Sequence, residues 1–277
     1  MRPGTRLVVA SAIVVSLLGA ACGGSSDSSK PSTSTSTSAL EGATLTDAQA
    51  LQMSRILVKD REAGGASFVI DLPSRGQVVA QLRGDVDWAH DLARASYVAT
   101  TGPVDTTDYE WNRSIVLVGG LAGLEDAMAA QGRPGVTWIS RPLDPTTTPL
   151  DGVLALVFTL AADQPDNPQL FTQNGARYLG RRSFDDLSLV GYRYSANVTY
   201  WVGPTDGLVH RVEAHFRSFS DPIVVTLTDH GPRDPDQPQK SEVVDASSIP
   251  ELYEQLTGDD APTLATPPPG ASTTTAP

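Results

Sequence analysis

Six side chains at two-residue spacing, Tyr192, Tyr194, Ala196, Val198, Tyr200 and Val202, lie opposite Arg193, Ser195, Asn197 and Thr199, and Trp201 alone breaks the alternation. Successive side chains of a strand point to opposite faces, so a period of two predicts one long strand with a dry side and a wet side. Gly203-Pro204-Thr205-Asp206-Gly207 then carries turn chemistry, Leu208, Val212, Ala214 and Phe216 supply the next apolar face, and Ser220-Asp221-Pro222 turns the chain into Ile223, Val225 and Leu227. Consecutive antiparallel strands of this kind commit the second half of the chain to a sheet.

The first half repeats the pattern. Thr46-Asp47 is a helix-capping pair ahead of Ala50, Leu51, Met53, Leu57 and Val58, which predicts one opening helix ending before Gly64-Gly65. Phe68, Ile70 and Leu72 alternate as a strand, Pro73-Ser74-Arg75-Gly76 turns it, and Val78, Ala80, Leu82, Val86 and Trp88 alternate against polar neighbours. Tyr97 to Thr101 and Trp111 to Val118 read as two further strands. In the middle, Leu121 to Ala130 has helical spacing, Val136 to Ile139 is a short strand, and Asp151 is the N-cap of a helix whose residues Val153 to Ala162 leave no polar face. A helix apolar all round must be covered on every side. Two readings stay open for it: a plain core helix, or one that lines a cavity and gives its spare apolar face to a greasy ligand. Strand meanders flanking a helical middle point to an α+β fold, an antiparallel sheet with helices packed on one face.

The N-terminus fixes where the chain works. Arg2 and Arg6 precede an apolar run from Leu7 to Leu18, and Gly19, Ala20 and Ala21 lead to Cys22. A basic start, a short apolar stretch and small residues at the cut are the plan of an export signal, and the run is shorter than the roughly 20 residues a spanning helix needs. The boundaries follow: residues 1–21 a signal peptide, 22–43 a disordered tether rich in Ser, Thr and Gly, 44–257 one globular domain, and 258–277 a disordered tail rich in Pro and Thr. Roughly 215 residues suffice for one domain with a real core. The net charge of −12 becomes two units more negative once Arg2 and Arg6 leave, which argues against nucleic acid and against a basic membrane patch. A single cysteine excludes an intramolecular disulfide and any site built from several thiolates.

Chemistry beyond binding finds little support. His210 and His215 are the closest histidine pair in sequence and fall on opposite faces of one strand; His210 sits on the apolar face with Leu208 and Val212 and reads as a satisfied semi-buried side chain. Asp85 and Asp87 share a face at roughly 7 Å, a spacing open to a two-carboxylate hydrolase or to an ordinary wet strand face. No nucleophile elbow, zinc helix or phosphate loop occurs. Catalytic residues, metal ligands and cofactors are therefore expected to be absent. Asn112-Arg113-Ser114 and Asn197-Val198-Thr199 match glycosylation sequons by chance, both inside expected strands.

The order of helix, meander, helical middle and meander, with Tyr200-Trp201-Val202-Gly203-Pro204-Thr205-Asp206-Gly207-Leu208-Val209-His210-Arg211-Val212 in the second meander, resembles actinobacterial lipoproteins of the LppX and LprG type, relatives in fold of the LolA carrier. The resemblance spans roughly residues 44–245. It implies a curved, incompletely closed antiparallel half-barrel with helices on its concave face, and binding or transfer of a lipid or glycolipid. The lone Cys after small residues resembles a lipobox, which implies an acylated Cys22 holding the protein on the extracytoplasmic side of a cell membrane. Leu154, Val157, Phe158, Leu160, Tyr194, Tyr200, Val212 and Phe216 are the expected cavity-lining residues. The alternative is a non-enzymatic interaction module that docks on an envelope protein partner.

Overall fold

The computed structural model describes residues 42–100, 106–146 and 148–257. Cys22, the signal, the tether before residue 42 and the tail from 258 lie outside the described residues. A two-residue strand β1 (Ala43–Thr44) precedes helices α1 (Asp47–Met53) and α2 (Ile56–Ala63). The first meander runs through β2 (Gly65–Ser74), β3 (Gln77–Asp87), β4 (Leu92–Ala99), β5 (Thr106–Trp111) and β6 (Ile115–Gly119), and then by way of α3 (Leu124–Ala130) to β7 (Trp138–Pro142). Helix α4 (Pro149–Leu156), continued by a 3-10 turn over Val157–Leu160, and α5 (Pro168–Gln173) lead to the second meander: β8 (Arg177–Phe184), β9 (Leu187–Arg193), β10 (Val198–Val202), β11 (Val209–Ala214) and β12 (Ile223–Thr228). Strand β13 (Val243–Asp245) and α6 (Pro250–Thr257) end the described chain.

Among the described residues all strands join one 13-stranded sheet in the order β1-β8-β9-β10-β11-β12-β2-β3-β4-β5-β6-β7-β13. The two meanders meet where β12 pairs with β2, Val225 opposite Ile70. Every pairing is antiparallel except β13 on β7. The order begins and ends on different strands, so the sheet is open, in keeping with the α+β half-barrel that the resemblance implies. One glycine shows how tightly its centre is wound: a Cβ on Gly84 of β3 would lie 1.8 Å from the carbonyl oxygen of Arg94 in β4. Only glycine admits so close a backbone approach.

Alternation decides which face is dry. Phe68, Ile70 and Leu72 of β2, Tyr109 and Trp111 of β5, and Val116 and Val118 of β6 turn to the side on which α1, α2, α4 and α5 pack, forming one apolar cluster with Met53, Ile56, Val153, Leu154 and Phe171. Farther along the sheet, Leu124 and Met128 of α3 cover Ile139 and Val244, and Leu252 and Leu256 of α6 pack on the same group. These cores and all the described elements lie within residues 42–257, so a chain beginning at Gly23 keeps every one of them. Among the described residues, no helix is long and apolar enough to cross a membrane.

Several sequence expectations change in detail. The run from Tyr192 to Val202 is a hairpin rather than one strand: β9 ends at Arg193, β10 starts at Val198, and Tyr192 faces Tyr200 across the pair. Trp111 to Val118 is likewise a hairpin, with Asn112 Oδ1 accepting from the backbone N–H groups of Ser114 and Ile115 at 2.8 and 2.9 Å. Both sequon asparagines thus sit in turns instead of strands. The opening helix breaks at Ser54-Arg55 into α1 and α2, and the carbonyls of Ser54 and Leu57 accept from the N–H groups of Asp166 and Ala162. The Thr46 cap is present, as a box with Gln49. The cap of α4 is Thr148, whose hydroxyl accepts from the Asp151 N–H at 3.2 Å; Asp151 stands one turn inside.

Candidate functional site

The apolar helix foreseen around residue 154 occupies the hollow of the half-barrel. Proline at its first turn needs no N–H partner, and Thr148 satisfies one of the free donors there. The Asp151 carboxylate, fully buried, takes two bonds from Arg141 of β7, at 2.7 and 2.6 Å, and one from the backbone N–H of Asp144 at 2.8 Å. Burial of an ion pair pays only where geometry is this complete. The other end is held by indoles: Trp111 Nε1 donates to the Leu154 carbonyl and Trp88 Nε1 to that of Val157, each at 2.9 Å. Helix C-termini leave carbonyls without intrahelical partners, and Trp111 of β5 and Trp88, just past the end of β3, fill that need. Phe158 meets the edge of Trp111 at 6.4 Å and lies beneath the Arg113 guanidinium at 5.4 Å.

Leu154, Val157 and Leu160 are fully buried in this hollow, Phe158 nearly so, and Tyr200 and Val212 of the second meander belong to the same apolar cluster. Phe216 is half-buried with its ring against Gly152 of α4. Tyr194 is 39% exposed, in the turn after β9, and its ring touches Phe171 at 5.5 Å and Tyr200 at 6.1 Å. Seven of these eight side chains therefore belong to one apolar cluster, filled by α4, and Tyr194 stands at its rim.

A polar group borders this cluster on the buried face of α2. Asp60, with no exposed surface, accepts the Val209 N–H at 3.0 Å through Oδ1, while Oδ2 has no partner among the described residues. Burial holds this carboxyl well above the usual range, against the pull of the Val209 bond. Next to it His210 bonds Asp206 at 2.9 Å, His230 donates to the Val209 carbonyl at 2.9 Å, and the two rings stack edge to face at 5.0 Å. Burial and the neighbouring His210 lower the His230 pKa. His210 is off the core face because a bulge between Trp201 and Val202 sets Val209 opposite Val202. Its spatial partner, His230, is twenty residues away and was invisible to strand periodicity.

A second feature occupies the convex face. Glu110, Leu117, Ser140 and Asp245 are successive register partners across β5, β6, β7 and β13, and Gln237, Pro238 and Lys240 lie over them. Together with Ile115 and Val243 they line a cleft of about 530 Å³. None of the expected cavity residues lines it. Glu110 is 5% exposed, with Oε1 3.6 Å from Arg94 Nε and Oε2 unpartnered among the described residues. Burial pushes its carboxyl up to about 7 in spite of Arg94. Asp85 and Asp87 are each engaged elsewhere, Asp85 by Ser67 and Arg233 and Asp87 by His90. No group of three or more His, Cys, Asp or Glu among the described residues is placed to hold a metal.

No family model and no curated protein matches the sequence. Among solved structures, the chain is similar to the Mycobacterium tuberculosis lipoprotein LppX, at 12% identity and a TM-score of 0.39 over 69% of this chain and 100% of that one. It is similar to a chain of the Pseudomonas aeruginosa MucA/MucB complex at 13% identity and a TM-score of 0.34, covering 71% of this chain and 62% of that one. A LolA superfamily protein from Nitrosomonas europaea matches at 12% identity and a TM-score of 0.26, over 69% and 96% of the two chains.

Proposed function

We propose that this chain is an extracytoplasmic lipoprotein, held at a membrane through an acylated Cys22, that binds or transfers a lipid or glycolipid on the concave side of its sheet. The observation that carries the reading is α4 with its 3-10 continuation. Its apolar side chains fill a half-barrel otherwise open at both sheet edges, and its polar ties to the sheet are few: the Arg141–Asp151 latch at one end, and at the other two indole bonds and one from Arg113 to the Phe158 carbonyl. An acyl chain offers the cluster the same apolar surface that the helix does, and because the helix is apolar all round it stays covered only by packing its own side chains against the acyl chain that enters beside it. Tyr194 and Phe216 stand where such a chain would enter. At the N-terminus, a diacylated and N-acylated cysteine brings enough methylenes, at about 0.8 kcal/mol each when buried, to anchor the protein without any spanning polypeptide.

Native mass spectrometry of the soluble form beginning at Gly23, recovered from a bacterial envelope, tests the reading. Copurifying lipid, or stoichiometric uptake of added phospholipid, is the expected result; bare protein that takes up no hydrophobic ligand would refute it. The tight packing of Leu154, Val157 and Leu160 favours a second reading, a solid module that docks on an envelope protein. Crosslinking to a membrane protein by ligand-free chain supports that one.

A further inference from the structure

We propose that the convex-face cleft above Glu110 is a second binding site, separate from the concave side, for a small amphipathic molecule with an ammonium head group. The site is built rather than incidental. After β12 the chain crosses the convex face from the middle of the sheet to its edge, pinned at the start by Arg233, which bonds Asp85 and Ser67 at 3.2 Å each. It is held at the far end by the pairing of β13 with β7. Between those points Gln237, Pro238 and Lys240 roof a floor that the sheet register sets in a row. A volume of about 530 Å³ falls within the range of small-molecule sites.

The chemistry of the lining selects the occupant. Leu117, Ile115 and Val243 give the cleft apolar walls, which ask for an apolar body. At its polar end Glu110, 5% exposed, keeps one carboxylate oxygen without a donor among the described residues; that oxygen is itself covered, so a ligand's donor meets it once the side chain turns toward the cleft. A buried acceptor left unpaired carries a desolvation penalty that a donor removes. The charged groups nearby decide the sign of that donor. Asp108 and Asp236 act on Glu110 as further negative charges, Asp245 lies on the floor, and Arg94 and Lys240 are the opposing bases. Arg94 is already set against Oε1. Carboxylates outnumber bases, so the cleft draws a cation and repels an anion. An ammonium on a short alkyl or aryl body meets both demands. Because burial keeps the Glu110 carboxyl protonated up to about 7, the cation binds more tightly as pH rises through neutrality and displaces a proton when it does.

Hexylammonium chloride is the probe, with hexanoate and hexanol as chain-matched controls, titrated into the form beginning at Gly23 while amide shifts are recorded. Saturable shifts around Glu110, Leu117 and Val243, at an affinity at least tenfold above that of hexanoate or hexanol, are expected. Glu110→Gln should weaken hexylammonium at least tenfold. Leu117→Lys should abolish uptake by placing an ammonium of the chain's own beside Glu110, its register partner. The amide spectrum of each variant shows that it is folded. Equal binding of the three probes, unchanged affinity in Glu110→Gln, or shifts confined to α4 and the concave strands would overturn the proposal. Since the readout maps to the convex face, failure here leaves lipid uptake by the concave side intact, and the reverse also holds.

Discussion

Arg141 grips Asp151 with two parallel bonds, 2.7 and 2.6 Å long, and so ties the edge of the first meander to the first turn of the helix that fills the half-barrel. Asp151 has no exposed surface, and removing one member of such a pair strands a charge in a dry site. Arg141→Ala is expected to cost roughly 3–5 kcal/mol in urea unfolding, with amide exchange of α4 rising more than that of β2 or β3. Replacing both members, as Arg141→Met with Asp151→Leu, should recover more than half of that loss. Additive losses in the double variant would show that the latch is not the unit described.

Glu110 makes stability fall as pH rises. Its folded pKa of about 7 lies above the ordinary 4.5, so the folded chain holds an extra proton between those values, and unfolding becomes easier as that proton is lost. The carboxyl stabilises nothing above neutrality and leaves a buried charge there. Glu110→Gln is expected to gain roughly 1–3 kcal/mol at alkaline pH and nothing below the ordinary carboxylate range. Thermal unfolding of both proteins across that window gives the difference.

Asp60 follows the same sign, raised by burial on the inner face of α2. Asp60→Asn keeps the acceptor for the Val209 N–H and removes the ionisable group, so it should stabilise the fold increasingly as pH rises. Asp60→Ala leaves that N–H unpaired and is expected to cost roughly 1–3 kcal/mol at every pH. Equal behaviour of the two variants would contradict the assigned bond.

These sites differ in how far the chain announces them. The capping pair at Thr46, the all-apolar stretch around Leu154 and the alternating strands are local patterns, and each is legible because its period is set within a few residues. The hairpin inside Tyr192–Val202 is not legible, because its turn keeps parity. Tyr192 and Tyr200 face each other across β9 and β10, so both arms put the same positions on the dry side, and the turn carries no Gly or Pro. Asn112 did carry a turn signal, an Asx arrangement, which its sequon obscured. The bulge that moves His210 off the core face depends on the register with β10, a non-local fact. The Glu110 cleft draws on β5, β6, β7, β13 and the segment before β13, residues up to 135 positions apart, from Glu110 to Asp245. No periodicity within one element reports such a meeting.

The proposed membrane attachment rests on one thioether, at Cys22. Cys22→Ala is expected to leave the protein unacylated, so that it partitions into the aqueous phase in detergent extraction where the wild type partitions into detergent. A variant that still follows the detergent phase would remove Cys22 as the anchor.

Tryptophan placement makes the concave side directly readable. Trp88 and Trp111 bond the helix that fills it, while Trp138 and Trp201 lie across the sheet against Gly119 and Gly191. Titrating a brominated fatty acid into the form beginning at Gly23 and following indole fluorescence measures an acyl chain at that position. Saturable quenching that disappears in the Trp88→Phe, Trp111→Phe double variant is the predicted result. Absence of quenching, or quenching that survives in the double variant, would contradict acyl-chain binding on the concave side.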